Sequence, residues 1–478
     1  MNFNLKSQTL LIILLCSLNQ LTAAIVVNCV TVILPEISID LNFTVDYLNW
    51  INLIFLMGLI AFCIPLGKII SQKGIKKYTK IAILTLIISL AISAFTSDID
   101  LFFISRLIQG ISIAVLYSTN YSLVVLSMPE ESLGRALGIV GSSGYIGMTL
   151  APTISGIITY YFSWRYAFLF MIPLLIIQLV IAHYIKSEWV VDKKPIDYVG
   201  IILYIFIIIF LVYGLSCILD DWFIYLSVFT ILLIIYLIYE RKIDYPVFNL
   251  ALFKDINYLI GNFASFVAYF VTFIATYVLS LHLQFNSGFD SRIVGLLFLI
   301  PPVMMIITAP IAGKASDHHD SRVLSSIAML FITVTLIIFV YLNYIPFYLL
   351  IIALFLQGIG HGLFSSPNNR FVLTSVNQDD LNDATAFLST SKSIGRMLSI
   401  AFFDIICKLI MGDVRMIENI PGLIYANSLI MVLCTVLSVI CIILLMLSKF
   451  FFKNVENKNT IDVLRDLFFN KIKKLNFS

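Results

Sequence analysis

Arg106 and Gln109 stand three residues apart in the run Ser105-Arg106-Leu107-Ile108-Gln109-Gly110-Ile111, so on a helix a guanidinium and an amide share one face amid apolar neighbours. Placing a guanidinium in hydrocarbon costs about 2.5 to 3.5 kcal/mol even on lenient insertion scales, so Arg106 is expected to face a wet cavity or a partner and to have a functional role rather than to snorkel. Counted from Leu101, it would lie about 8 Å below the outer surface. Asp404 is the firm acid within an apolar run, with Lys408 one turn further on. Such a pair suits either the tying down of a helix end or proton transfer. Lys392 and Arg396 lie nearer the middle of the same run, and with Arg106 they predict a positive cavity that favours neutral, zwitterionic or anionic cargo over lipophilic cations. His282 and His361 lie in or near apolar runs, where an imidazole that titrates near neutral pH suits a proton relay, while His318 and His319 belong to a charged loop and read as solvated. Asn28, Thr31, Gln357 and Asn368 complete the polar candidates for a cavity lining.

Other chemistries are excluded by pattern. Cys16, Cys29, Cys63, Cys217, Cys407, Cys434 and Cys441 lie almost wholly inside apolar runs with no paired ligand spacing, which argues for packing and against a metal or redox role. No cofactor motif is present, and no nucleophile, base and oxyanion donor fall together, so an enzyme is not expected.

The elements that hold these side chains must cross a membrane. Hydrophobic residues make up 60% of the chain and charged ones only 12%, far from the roughly 25% charged of a soluble domain. Mean hydropathy is +1.01. Apolar runs of spanning length predict helices near 10–34, 48–70, 80–97, 101–126, 136–160, 165–185, 198–218, 222–239, 258–283, 293–312, 323–343, 346–368, 385–411 and 424–448, fourteen in all. The short turn at Asp220-Asp221 separates the seventh from the eighth.

Lysines and arginines set the sidedness. Lys68, Lys73, Lys76, Lys77 and Lys80 follow the second span, whereas the loops after the first and third offer Glu36, Asp40, Asp46, Asp98 and Asp100. Lys186, Lys193, Lys194, Arg241, Lys242, Lys314 and Arg322 continue the alternation, so both termini are expected in the cytoplasm of a multi-pass cell-membrane protein. The net charge of +3 reads as this sidedness and not as a nucleic-acid signal. Trp50, Trp164, Trp189 and Trp222 fall at span ends, where an indole suits the headgroup level. Lys6, Leu10–Leu15 and Thr22-Ala23-Ala24 imitate a cleavable signal peptide, but the apolar run continues to Leu34. Past residue 449, Ile461, Leu464, Phe468, Ile472 and Leu475 recur at helical spacing beside Arg465, Lys471, Lys473 and Lys474, which fits either a helix on an anionic inner leaflet or a frayed basic tail.

The chain also repeats itself. Gln109-Gly110-Ile111 through Ser118-Thr119-Asn120 is echoed 248 positions later by Gln357-Gly358-Ile359 through Ser365-Ser366-Pro367-Asn368. The same offset carries Ser143, Gly147 and Ala151 onto Ser391, Gly395 and Ser399, and nearly carries Gly67-Lys68 onto Gly313-Lys314. Parallel duplication in a membrane protein predicts two bundles rocking about a central substrate site. We expect a six-helix bundle over 1–187, two inserted helices with linkers over 188–255, a second six-helix bundle over 256–448 and a tail over 449–478.

Several of these segments resemble motifs of the major facilitator superfamily. Arg106-x-x-Gln109-Gly110 is similar to its fourth-helix motif, in which the Arg is associated with proton coupling. Gly147-Met148-Thr149-Leu150-Ala151-Pro152-Thr153-Ile154-Ser155-Gly156 looks like its antiporter motif, with Ala151 and Ser155 replacing two glycines. Ser163-Trp164-Arg165-Tyr166-Ala167-Phe168 and Asp197-Tyr198-Val199-Gly200, with fourteen spans, resemble the fourteen-helix drug:proton antiporters. That resemblance implies an all-α fold and export of hydrophobic or drug-like compounds in exchange for protons, by a monomer whose partners are cargo, protons and lipid.

Departures from the family pattern are equally specific. The loop motif appears as Gly67-Lys68-Ile69-Ile70-Ser71-Gln72-Lys73-Gly74, with Ser71 where the family has an Asp, while the second copy keeps Asp317 after Gly313. A hydroxyl hydrogen-bonds but cannot form a charge lock, so the cytoplasmic gate is expected to lean on Asp317. In the first span Val26 and Thr31 stand where the family has an acid and an Asn, which weakens a cationic-drug reading and leaves uniport or symport of one metabolite, or a transport-dead sensor, as alternatives.

Overall fold

The computed structural model describes residues 2–41, 45–128, 130–190, 195–216, 222–243, 247, 250–376, 381–412 and 418–451. Among them secondary structure is helical throughout. The helices are α1 (Asn2–Asp40), α2 (Val45–Lys73), α3 (Ile75–Phe95), α4 (Ile99–Ser127), α5 (Glu130–Tyr161), α6 (Trp164–Leu169), α7 (Ile172–Tyr184), α8 (Tyr198–Ser216) and α9 (Trp222–Glu240). They continue as α10 (Ile256–Leu281), α11 (Ser291–Leu297), α12 (Ile300–His318), α13 (Ser321–Val340), α14 (Phe347–Thr374), α15 (Leu381–Met411) and α16 (Ile420–Phe451). Among the described residues, eleven helical stretches are long and apolar enough to cross a membrane, and Tyr198–Gly214 is apolar but shorter. Helices α5, rich in Gly, Ser and Thr, and α15, with Lys392, Arg396, Asp404 and Lys408, fall outside that class. The Asp220-Asp221 turn and the basic tail beyond residue 451 lie outside the described residues.

Two expected spans are broken helices. Near 165–185 the chain breaks between α6 and α7, where Pro173 starts the second piece and brings no backbone donor. Near 293–312 it breaks between α11 and α12, just before Pro301 and Pro302. The ninth span ends in a π-helical turn at His282–Asn286. Between α2 and α3 a single residue, Gly74, takes φ 115°, a conformation that costs a Cβ-bearing residue strain. Helix α1 is continuous over 39 residues, and Leu15, Cys16, Ala23 and Val26 are buried, so removing a leader ahead of residue 25 would strip packed core.

Packing sorts the described helices into two units. One gathers the described residues of Met1–Phe248, Tyr277–Leu299 and Met397–Ala426, and the other those of Asn249–Thr276, Ile300–Arg396 and Asn427–Ser478. This grouping differs from a division at residue 255, because 277–299 bonds to α1 and α5: Ser280 Oγ donates to Thr31 O (2.8 Å) and Thr153 Oγ1 to Gly295 O (3.0 Å).

Within the first unit, a Cβ on Gly110 of α4 would collide with Phe55 O and come within 3.0 Å of Leu59 N on α2. A Cβ on Gly147 of α5 would collide with Leu21 O and lie 2.9 Å from Ala24 Cβ on α1. Asn120 Nδ2 donates to Cys16 O on α1 at 2.9 Å. The second unit repeats this plan at the 248-residue offset. Gly358 of α14 abuts Pro301 O on α12, and a Cβ on Gly395 of α15 would meet Phe266 O on α10 at 2.5 Å. Asn368 Nδ2 donates to Gly261 O on α10 at 2.9 Å. The sequence echo is therefore a conserved packing device: small residues where backbones touch, and an Asn that reaches across to a neighbouring carbonyl.

Gly147→Ala should lower the detergent-phase melting temperature, since overpacking against backbone costs about 1 to 3 kcal/mol. Gly141→Ala on the same helix, with nothing within 4 Å of its Cβ, should leave it unchanged or raise it. Differential scanning fluorimetry of the two variants checks this, and equal shifts would contradict it.

Candidate transport site

Arg106 has 0% exposure. Its guanidinium stacks 4.4 Å over the Phe55 ring, Nε donates to Ile51 O (3.2 Å) on α2, and Nη1 donates to Gln109 Oε1 (2.6 Å). Gln109 passes the chain on, its Nε2 donating to Ser93 Oγ (2.8 Å) and Ser89 O (3.3 Å) on α3, and Ser93 pairs with Ser105 at 2.6 Å. Of the two surroundings expected for Arg106, a wet cavity or a partner, the described residues supply partners. The side chain is sealed among α2, α3 and α4, and its neighbours are a carbonyl, an amide and an aromatic face, which answer the desolvation cost by hydrogen bonds and cation–π contact. Nη2 is buried without a hydrogen-bond partner among the described residues.

Lys392 and Arg396 belong to the second unit. Arg396 Cζ lies 4.8 Å and Lys392 Nζ 5.6 Å from the Tyr269 ring of α10, and Lys392 Nζ donates to Asn369 Oδ1 at 2.7 Å. Tyr269 meets His361 of α14 edge-on, with ring centroids 4.8 Å apart. Tyr269 of α10 is thus a partner to both cations.

Asp404 is fully buried and pairs with Lys408 at 3.6 Å in the first unit. His282 is buried and approaches Asn286 at 3.5 Å through Nε2. Several of the residues expected to line a cavity bond to helices. Asn28 Nδ2 donates to Ala24 O of its own helix (2.7 Å), Thr31 offers its carbonyl to Ser280, and Gln357 Nε2 donates to Thr276 Oγ1 (3.2 Å) and Thr272 O (3.4 Å). Asn368 clamps α14 to α10 through Gly261 O and Ser265 Oγ, the latter at 2.7 Å. A mid-helix amide in hydrocarbon is bound to find a carbonyl, and a neighbouring backbone supplies one.

The antiporter-motif helix packs at both ends. Gly147 meets α1; Gly156 abuts Ser291 O, and its Cβ would lie 3.3 Å from Gly295 Cα on α11. A Cβ on Gly295 would in turn meet Pro152 O at 2.5 Å, and Ser155 Oγ bonds back to Ala151 O at 2.7 Å. The residues that follow the loop motif tie it to the chain after α7. Lys76 N donates to Glu188 Oε1 (2.8 Å), Ile75 N to Trp189 O (3.0 Å), and Lys76 Nζ to Ile185 O (3.0 Å). Glu188 thus caps the N-terminus of α3, a favourable place for a carboxylate. A Cβ on Gly74 would lie 3.2 Å from that carboxylate, and one on Gly67 3.2 Å from Ser118 Cβ. Gly313 faces Ser366 Oγ at 3.4 Å; the side chains of Ser71 and Asp317 lie outside the described residues.

Both branch motifs prove to be caps and ties. Trp164 Nε1 and Arg165 Nη1 donate to Asp40 Oδ2, at 3.1 Å and 2.5 Å, which fixes the end of α1 to the start of α6. Asp197 Oδ1 accepts from Gly200 N (2.9 Å) and from Tyr239 OH (2.8 Å), joining α8 to α9.

Helices of membrane-spanning length, a packing plan used twice, and ionisable side chains inside apolar units define a membrane transporter. The family model of the Major Facilitator Superfamily matches residues 16–254 and 261–468, and the chain belongs to that superfamily. It is 26% identical over 374 residues to the riboflavin transporter RibZ of Clostridioides difficile, across 77% of this chain and 82% of that one. It is 24% identical over 391 residues to the multidrug resistance protein Stp of Mycobacterium tuberculosis, across 79% and 71% respectively. It is also 24% identical over 392 residues to the probable multidrug resistance protein EmrY of Escherichia coli, across 78% and 76%. A crystal structure of tetrameric PepTSo2 matches with a TM-score of 0.65 at 13% identity, over 93% of this chain and 100% of that one, a likeness of fold alone.

Arg106→Ala removes one bond between helices and one within α4, and leaves the buried Gln109 Oε1 unserved, so about 2 to 4 kcal/mol of stability should be lost. Asp40→Asn breaks a pair whose members are 28% and 45% exposed and should cost under about 1 kcal/mol. Thermal unfolding of both variants in one detergent measures the contrast; an equal loss would contradict the sealed placement of Arg106.

Proposed function

We propose that the protein is a secondary active transporter that exports a small organic compound across the cytoplasmic membrane in exchange for protons, by alternating access. The observation that carries this reading is the paired geometry of Gly110 with Gly358, Gly147 with Gly395 and Asn120 with Asn368, which supports two repeats of one ancestral bundle. The lysine and arginine pattern supports fourteen spans, cytoplasmic termini and bundles over 1–187 and 256–448 joined by the inserted pair 188–255. Arg106 and Gln109 then couple through their bonds to α2 and α3 rather than by touching cargo, with Asp404 and Arg396 as further charges on the route. Gly67, Ser71, Gly74, Gly313 and Asp317 belong to the cytoplasmic gate. The contact of Gly156 with α11 is the seal that opens, since it joins helices across which backbones meet at glycine without a charge lock.

The energetics suffice. A potential of 100 mV contributes about 2.3 kcal/mol per charge and one pH unit about 1.4, so one proton sustains a gradient of roughly 500-fold in a neutral solute. Uniport or symport of a single metabolite is the second reading, favoured by one observation. Val26, where the resemblance places an acid, is a fully buried aliphatic side chain, so α1 offers no proton carrier there. Relatives named as multidrug resistance proteins and as a riboflavin transporter span both possibilities.

Proteoliposomes with an imposed pH gradient test the first reading. Uptake of fluorescent aromatic compounds should follow the gradient and fall at least about tenfold in Arg106→Ala and Asp404→Asn, a loss equal to about 1.4 kcal/mol of coupling. Unchanged export by Arg106→Ala would remove that residue from the mechanism, and gradient-independent flux would favour uniport.

A further inference from the structure

Helix α15 carries two charge pairs at four-residue spacing. One, Asp404 with Lys408, joins opposite charges. The other, Lys392 with Arg396, sets two cations on one helix face, an arrangement that repels and that a membrane segment does not favour for packing's sake. Among the described residues Lys392 forms no ion pair; its Nζ donates to Asn369 Oδ1 and lies 5.6 Å from the Tyr269 ring.

The surroundings are built, not incidental. The glycine contact of Gly395 with Phe266 O and the bond from Ser391 Oγ to Asn262 O (3.0 Å) press α15 onto α10, one turn from Tyr269. This brings both cations to the Tyr269 ring, with His361 edge-on to it. His361 is 3% exposed and its Nδ1 has no hydrogen-bond partner among the described residues. One turn away, Gln357 is 2% exposed and its Oε1 is likewise without one, as is Thr272 Oγ1. Buried polar atoms of this kind are rare unless something else satisfies them. The patch therefore has two cations without an acid beside Lys392, an aromatic wall, and unserved hydrogen-bonding atoms.

We propose that Lys392, Arg396, Tyr269 and His361 form a binding site for a planar aromatic carboxylate, which is the class of cargo the transporter carries. The carboxylate lies between Lys392 Nζ and the Arg396 guanidinium, the ring packs against Tyr269, and a polar substituent reaches His361 Nδ1. This assignment rests on the transport reading for its cargo role, while the binding site stands on the geometry of the second unit alone.

Isothermal titration of the detergent-solubilised full chain with 1-naphthoate, 1-naphthylmethanol and 1-naphthylmethylammonium separates the terms. The carboxylate should bind at least about tenfold more tightly than the alcohol, and the ammonium more weakly still. Lys392→Gln and Arg396→Gln should each erase that preference while keeping the alcohol's affinity within about threefold, and Lys392→Arg should retain it. Retained alcohol binding reports that the variants are folded. Equal binding of the three probes, no saturable binding of 1-naphthoate, or a preference that survives both Gln substitutions would overturn the site. Binding without flux in proteoliposomes would defeat the transport reading and leave the site standing; flux of neutral compounds without the carboxylate preference would do the reverse.

Discussion

Lipid tails are as apolar as leucine, so helices in a bilayer gain little by burying aliphatic surface against one another and must associate by close contact and hydrogen bonds. That constraint organises this protein. Gly110, Gly147, Gly358 and Gly395 each bring a backbone against a neighbouring carbonyl, and Asn120 and Asn368 each carry an amide across to one. Everything else hangs on these contacts. Gly110 sets α4 against α2, which puts the Ile51 carbonyl and the Phe55 ring where Arg106 needs them. Gly395 sets α15 against α10, which puts two cations over Tyr269.

The same constraint explains how charges survive in the apolar interior. Arg106 is answered by a carbonyl, an amide and a π-face, and Asp404 by Lys408, so both are held inside one unit. Lys392 bonds to Asn369, and both Lys392 and Arg396 approach the Tyr269 ring. Positive charge is thus concentrated at one place, which is how a carrier can keep a rigid scaffold and still hold an exchangeable ligand. Gly74 and Glu188 show a tie of another kind, a backbone turn followed by a carboxylate on a helix N-terminus.

Much of this was legible in the chain. Apolar length located the helices, because a bilayer fixes span length at about 20 residues. The 248-residue echo named the glycines and asparagines that make the repeated contacts, since a backbone approach tolerates no side chain and therefore marks the sequence. The breaks at α6–α7 and α11–α12 were less legible, because a proline at a helix start reads as part of an apolar run. Partners within one helix were legible, as for Arg106 with Gln109 and Asp404 with Lys408, whereas partners on other helices were not. Glu188 lies 112 residues from Lys76, Tyr269 lies among many aromatics, and nothing local tells which face of α4 Arg106 occupies. Gln357 and Asn368 were read as cavity residues for the right reason, polarity in an apolar helix, yet neighbouring backbones claim their amides.

If glycine contacts inside each repeat are permanent and the one between α5 and α11 is the seal, then the ends of those two helices must separate during transport. Arg292 at the start of α11 now stacks 4.5 Å over Tyr160 and reaches the Tyr161 hydroxyl at 3.5 Å, so this end is closed. Pulsed electron resonance between nitroxides at Tyr161→Cys and Arg292→Cys, with the native cysteines replaced, reads the distance directly in liposomes. The account predicts two populations, one short and one longer, whose ratio shifts with pH or with added cargo. A single short distance under every condition would contradict it.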